Sequence, residues 1–82
     1  MFIVGVYYSW DIEMSMYIFS TEQEAKNFIK KNFEEEKRIA DEGKIHLTHL
    51  SHSDDFDWAT IHYDNDCNEF IEWNIGSLKD MR

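Results

Sequence analysis

Four histidines are the residues of this sequence whose type and spacing could bind a metal ion. His46, His49 and His52 lie three residues apart, and His62 follows ten residues later. A zinc site usually takes two ligands from one short motif and two from another at a fixed spacing. Successive side chains of a strand point to opposite faces, so His49 points away from His46 and His52. The sequence therefore predicts no metal site, and no other cofactor is indicated.

The patterns that support nucleophilic or acid–base chemistry are also missing from the sequence. Cys67 lies in an acidic turn between Asp64 and Asn68, where carboxylates disfavour the thiolate that acts as a nucleophile. Asp54 and Asp55 are adjacent carboxylates, but no partner nucleophile accompanies them. The three glycines are isolated from one another, so they form no phosphate-binding loop. We therefore expect this chain not to be an enzyme.

The net charge is strongly negative and unevenly distributed. Among 82 residues there are 17 Asp and Glu against 8 Lys and Arg, which gives a formal charge of −9. Residues 21–44 carry seven acids and six bases, whereas residues 45–78 carry seven acids and no Lys or Arg. Contact with nucleic acid needs cations that neutralise phosphates, so direct nucleic-acid binding is not expected. The longest apolar runs are too short to span a membrane, so no membrane partner is expected.

One helix is predicted after residue 20, where the hydrophobic period changes. Two capping-box spacings mark its start, Ser20 with Gln23 and Thr21 with Glu24. Gly43 is a typical residue for the position after a helix ends. The apolar positions recur at helical spacing, as expected for one buried face; they are Ala25, Phe28, Ile29, Phe33 and Ala40.

Strands are predicted on both sides of this helix, over residues 2–10, 14–19, 45–50, 56–63 and 69–75, because these runs are rich in β-branched and aromatic residues. The order is therefore β-β-α-β-β-β. A chain of 82 residues has room for one core, so we expect a single α+β domain over residues 1–82. Its one helix packs on one face of a mostly antiparallel four- to five-stranded sheet, and residues 76–82 form a frayed tail.

The face of the sheet that the helix leaves uncovered is the predicted binding surface. One helix covers only one face, and eleven of the thirteen aromatic residues lie outside it. Large side chains occur at both the odd and the even positions of the strands, and so on both faces of the sheet. We therefore expect aromatic groups among carboxylates on the uncovered face, and this combination is typical of binding surfaces. The predicted partner-binding residues are Asp54, Asp55, Asp57, Trp58, Tyr63, Asp64, Asp66, Glu69, Glu72 and Trp73.

The sequence favours a protein-binding function with a basic protein as the partner. Carboxylates can take the place of phosphates in a basic groove that normally holds nucleic acid. Small size and acidity resemble, as a class, the phage inhibitors that block host nucleases, including anti-CRISPR proteins and other nucleic-acid mimics. Residues with AT-rich codons (Phe, Ile, Tyr, Asn and Lys) number 30, whereas Gly, Ala, Arg and Pro number 8. This usage predicts a low-GC bacterium or its phage. The N-terminal apolar stretch lacks the basic segment and small-residue cleavage site of a signal peptide, and a single cysteine excludes an internal disulfide, so we expect a cytoplasmic location in a bacterial or phage-infected cell.

The alternative hypothesis is an accessory domain without catalytic activity that forms a homodimer through its sheet. Either the open face or an edge strand would form the contact, with aromatic residues such as Trp58, Tyr63 and Trp73 buried between subunits. The negative charge opposes this association unless the acids stay at the rim of the contact.

Overall fold

A computed structural model describes residues 1–64 and 67–77 and shows one helix packed on a five-stranded sheet. All neighbouring strands are antiparallel, and their spatial order is β2-β1-β5-β4-β3. The predicted α+β class and the element order are confirmed. The elements are β1 (Phe2–Tyr8), β2 (Ser15–Phe19), α1 (Glu22–Glu42), β3 (Leu47–His52), β4 (Trp58–Tyr63) and β5 (Phe70–Ser77).

The core lies between α1 and the three central strands. Alternate side chains of β1, β5 and β4 face the helix, and the buried members are Val4, Val6, Ala59, Ile61, Ile71 and Trp73. The helix contributes Ala25, Ile29 and Phe33 from its predicted apolar stripe. Trp73 is among the largest fully buried side chains, and its ring centroid lies 6.1 Å from that of Phe33. Burial of these apolar groups is the main stabilising contribution to the fold.

The helix begins with the second of the two predicted capping boxes. The Thr21 hydroxyl oxygen accepts a hydrogen bond from the backbone N–H of Glu24 at 3.2 Å. The same hydroxyl donates to the Glu24 carboxylate at 3.0 Å. Thr21 has an extended backbone, as expected of an N-cap residue. The N-cap is therefore Thr21 and not Ser20.

The helix ends one residue later than the sequence suggests. Gly43 has an ordinary φ of −81°, whereas Lys44 adopts the left-handed conformation with a φ of 54°. The N–H of Lys44 donates to the carbonyl of Asp41, and the N–H of Ile45 donates to the carbonyl of Ala40. This is the hydrogen-bond pattern of a Schellman motif, with Lys44 at the position that usually requires glycine. The prediction that Gly43 takes this position is therefore wrong.

Several strand ends differ from the sequence prediction; among them, β3 ends at His52 and not at residue 50, and β4 begins at Trp58 and not at residue 56. β1 ends at Tyr8, two residues before Trp10, and β3 begins at Leu47 and contains a register shift between Leu47 and His49. β5 continues to Ser77, and Gly76 pairs with Ile3. The strand thus includes the first two residues of the predicted tail, and residues 78–82 lie outside the described part. No helix within the described ranges has the length and hydrophobicity needed to cross a membrane.

Replacement of Lys44 by glycine should stabilise the domain. A left-handed backbone costs an L-residue about 1 kcal/mol relative to glycine, so Lys44→Gly should raise the free energy of unfolding by roughly that amount. Lys37→Gly is the matched control, because Lys37 lies inside the helix with helical backbone angles. There the same change should destabilise by about 1 kcal/mol. Urea denaturation measures both changes, and equal signs for the two variants would contradict this description of the helix end.

Candidate functional site

The face of the sheet opposite α1, here called the open face, presents every second side chain of each strand. The pairing register places the members side by side across the five strands. Across the sheet, from one edge strand to the other, these residues are Met16 and Ile18 of β2, Ile3, Gly5 and Tyr7 of β1, Phe70, Glu72, Asn74 and Gly76 of β5, Trp58, Thr60 and His62 of β4, and His49 and Ser51 of β3. This face is the candidate functional site because no helix or strand among the described residues covers it.

Four rings form a continuous row across the open face, here called the ring ladder. His49 of β3 meets His62 of β4 edge to face, with ring centroids 5.5 Å apart. His62 stacks on Phe70 of β5 at 5.2 Å, and Phe70 in turn lies 5.7 Å from Tyr7 of β1. Aromatic pairs in these geometries add to the stability of neighbouring strands and hold one another in place. The ladder therefore offers an incoming partner an ordered surface of π-systems.

The ring ladder was not among the sequence-predicted site residues. The residues of β4 and β5 in the ladder, His62 and Phe70, could have been found from strand parity together with the β4–β5 pairing. The position of His49 depends on the register shift that precedes it in β3. No local sequence signal fixes that shift, so the partnership of His49 with His62 could only be seen in the structure.

The part of the open face near β2 is apolar. Ile18 lies beside Ile3, and Met16 lies beside Gly5. The sulfur of Met14 would lie only 2.8 Å from a Cβ at position 5, so the Met14 side chain extends over Gly5. The absence of a side chain at Gly5 thus lets Met14 lie flat on the sheet.

Carboxylates lie at the two ends of the sheet, and only one lies on the open face. Glu72 is the single Asp, Glu, Lys or Arg of that face among the residues described. It pairs with Tyr7 on one side and Thr60 on the other. The expectation that several carboxylates are interspersed among the aromatic groups is therefore wrong. The physical reason is that Asp and Asn favour turns, and turns lie where strands end.

The first acidic end contains the connections β1–β2 and β4–β5. Ser9, at the start of the β1–β2 connection, donates its N–H to the carbonyl of Phe70, the first residue of β5, so the two connections lie at the same end of the sheet. The N–H of Tyr63 donates to the carbonyl of Glu69 and closes the β4–β5 hairpin itself. The acids here are Asp11, Glu13, Asp64 and Glu69. Asp64 is exposed and Glu69 is half-buried. Asp66, the remaining predicted acid of this connection, lies outside the described residues.

The second acidic end is the β3–β4 turn, which carries Asp54, Asp55 and Asp57. Lys26 of α1 binds two of them, with its Nζ 2.8 Å from Asp55 and 3.5 Å from Asp57. The ammonium beside Asp55 lowers the pKa of that carboxyl, chiefly through a hydrogen bond. Two of the three predicted acids therefore already have a cationic partner in the chain, and Asp54 is the exposed acid of this turn that forms no ion pair among the described residues.

Two predicted binding residues face the helix and not the open face. Trp73 is only 1% exposed within the core, so it is not accessible to a partner. Tyr63 is half-buried on the same side, and its hydroxyl donates to the Glu36 carboxylate at 3.4 Å. Both side chains belong to the parity of β4 and β5 that packs on α1. Trp58, by contrast, lies on the open face and is 42% exposed, as a binding residue requires.

The histidines do not converge on a common point. His52 lies on the helix side, stacked on Phe56 at 4.2 Å, whereas His49 and His62 lie on the open face. Within the described residues, no group of three or more His, Cys, Asp or Glu side chains has the geometry to hold a metal ion.

A groove of about 680 Å³ lies between the second half of α1 and the edge strand β3. Its floor is apolar, formed by Ala40, Ile45, Leu47 and Leu50, and charged residues of both signs surround it. Arg38 on its wall already pairs with Glu35 and Glu42. The mixed charge gives this groove no preference for an acidic or a basic ligand.

No protein-family model matches the chain, and neither a curated protein nor a solved structure matches it.

The environment of Tyr63 predicts a measurable pH dependence. Burial and the nearby Glu36 carboxylate raise the pKa of Tyr63 to about 12. In the unfolded chain the phenol ionises near pH 10, so the unfolded state releases this proton first. Stability should therefore fall as pH rises from about 10 to about 12. Absorbance titration of tyrosinate formation should show a late component that is reduced in Tyr63→Phe; burial also raises the pKa of Tyr8, so part of the late component remains.

Glu36→Gln tests the electrostatic part of this effect. Removal of the carboxylate should move the late component to lower pH, while Glu34→Gln, on the exposed side of the helix, should leave it in place. An unchanged titration in Glu36→Gln would show that Glu36 does not act on Tyr63.

Proposed function

We propose that this chain is a small acidic protein without catalytic activity that binds a basic protein through the open face of its sheet. The observation that carries the proposal is the composition of that face. It combines aromatic rings with one carboxylate, has an acid-rich turn region at each end, and has no Lys or Arg among its described positions.

The chemistry of the open face suits arginine side chains. A guanidinium group binds a carboxylate through two parallel hydrogen bonds and also stacks on aromatic faces. Glu72 lies next to Tyr7 on the neighbouring strand, so one arginine can contact a carboxylate and a ring together. Trp58, which is exposed, provides a second ring on the other side of β5.

The acidic ends favour the approach of a positively charged surface. The whole chain carries a formal charge of −9, and its cations lie mainly on the helix. Such a field accelerates association with a basic partner and repels nucleic acid and other acidic surfaces. Because the charges are exposed, this attraction weakens as salt rises.

A nucleic-acid mimic is the finer form of this proposal. The two acidic ends are separated by the length of the central strands, roughly 20 Å for six residues. Grooves that bind nucleic acid carry Lys and Arg along a comparable length, because each neutralises a phosphate. A phage-encoded inhibitor of a host nuclease, in the anti-CRISPR or anti-defence class, is the kind of protein that fits this description.

Charge-neutral variants test the binding surface. The bound protein is identified by affinity capture from a bacterial extract, and its dissociation constant for this chain is then measured by calorimetry at several salt concentrations. Glu72→Gln should weaken binding at least about 30-fold, the effect of removing one member of a desolvated charge pair. Asp54→Asn with Asp64→Asn should weaken it about 2- to 10-fold and reduce the salt dependence.

Glu34→Gln with Asp41→Asn is the matched control, because it removes the same charge from the exposed side of the helix. This control should leave binding nearly unchanged. Equal losses in both double variants would show that net charge matters and that the open face is not the site. Duplex DNA or RNA should compete with this chain for the captured protein. If the captured protein binds nucleic acid and this chain at the same time, the mimic hypothesis is contradicted, whereas the proposal of a basic protein partner still holds.

A further inference from the structure

Strand β2 is an edge of the sheet with an apolar, regular and uncharged surface. Among the described residues it pairs on one side only, with β1, through five consecutive residues without interruption. The N–H and C=O groups on its outer side are therefore available to another strand. Protein sheets usually protect such edges with charges, prolines or bulges. The sequence of β2, Ser-Met-Tyr-Ile-Phe, contains no proline and no charged residue.

The opposite edge of the same sheet has the protection that β2 lacks. The pairing of β3 shifts register between Leu47 and His49, which is a local irregularity of the bulge type. Its sequence is also more polar, with two histidines, a threonine and a serine in six residues. The two edges thus differ in the features that govern strand addition, and β2 is the one open to it.

The side chains of β2 are exposed to an unusual extent for apolar residues. Ile18 is 63% exposed, Met16 57% and Tyr17 42%. Six of the eleven large hydrophobic residues that are exposed in the described part of the chain lie between positions 10 and 18. Concentrated apolar exposure of this kind on a small protein marks a contact surface.

We propose that a second copy of this chain pairs along β2, antiparallel and about a two-fold axis at Tyr17. In this register Tyr17 of one copy lies opposite Tyr17 of the other, and Met16 of each lies opposite Ile18 of its neighbour. Apolar side chains then meet apolar side chains, and the two sheets join into one continuous sheet. The pairing satisfies the outer backbone groups of both edge strands.

Charge selects a second copy over a basic partner at this edge. Residues 14–21 contain no charged side chain, in a protein whose formal charge is −9. A basic protein gains nothing from this strand and is drawn to the acidic ends and Glu72. In the proposed register Glu13 lies opposite Thr21 of the other copy, so no two acids face each other across the strand pair. Repulsion then comes only from acids further away, where salt screens it.

The available area indicates a weak dimer. The exposed parts of Met14, Met16, Tyr17 and Ile18 amount to roughly 400–500 Å² per copy, compared with about 800 Å² per partner in a stable complex. A dissociation constant on the order of micromolar is therefore expected. Dimerisation should strengthen as salt rises, because salt screens the repulsion between two negative copies.

Sedimentation velocity over a wide range of protein concentrations, at low and high salt, tests the dimer. The fraction of dimer should rise with protein concentration, and at high salt the dimer should form at lower protein concentrations. Ile18→Lys should abolish it, because it places two positive charges in the apolar contact. Thr48→Lys, which adds the same charge to the β3 edge, should leave the dimer intact. Circular dichroism confirms that both variants are folded.

A cysteine variant tests the register independently of any effect on stability. In a Cys67→Ser background, Tyr17→Cys places two thiols directly opposite each other across the axis, within the range that a disulfide spans. Met16→Cys places them two positions apart on the diagonal, about 7 Å or more, where crosslinking is slower. Fast oxidation of the first variant and slow oxidation of the second supports the register.

Three results would overturn the proposal: a monomer at every concentration and salt, loss of the dimer in Thr48→Lys but not in Ile18→Lys, or a dimer in which Tyr17→Cys fails to crosslink. The opposite salt dependence separates this inference from the proposed function. Binding of a basic protein weakens with salt whereas the dimer strengthens, and Glu72→Gln should not affect the dimer.

Discussion

One helix has to cover five strands, and the rest of the structure follows from that mismatch. The edge strands of a five-stranded sheet lie roughly 19 Å apart, whereas a helix with its side chains is about 10 Å wide. Helix α1, about 31 Å long for its 21 residues, therefore covers the central strands along their full length and leaves the edges partly bare. Complete burial accordingly occurs on β1, β4 and β5, and no residue of β2 or β3 is buried.

The composition of the two faces reflects this limited coverage. The helix brings small residues, such as Ala25, close to the sheet, and Phe33 packs against Trp73 at the centre of the core. The other face has no such cover and cannot be made entirely polar, because its strands already need β-branched and aromatic residues to form. Its rings pack on one another across the strands, as Phe70 does between Tyr7 and His62. The aromatic residues of the open face thus stabilise the strands, in addition to the binding role proposed for them.

The elements could be read from the sequence because their signals are local. Hydrophobic periods, turn residues and the Thr21–Glu24 capping box lie within a few residues of each other. The strand order and the choice of inner face could not be read, since they depend on long-range pairing. Trp73 illustrates this: its parity in β5 was clear, but whether that parity faced the helix or the solvent depended on the register with β1. The ion pairs of Lys26 with Asp55 and Asp57 likewise join residues about thirty positions apart.

The distribution of charge distinguishes the two proposed contact surfaces, the open face and the β2 edge. Acidic residues lie in the turns at both ends of the sheet, and Glu72 lies at the centre of the open face. If two open faces stacked on each other, like charges would therefore come together at three places. That repulsion supports the proposal that the open face binds a partner of positive charge. Residues 14–21 carry no charged side chain, and this neutral apolar edge is where we propose that two copies of the protein meet. A basic partner on the face and a second copy on the edge are therefore compatible, since pairing along β2 leaves Glu72 and Trp58 uncovered.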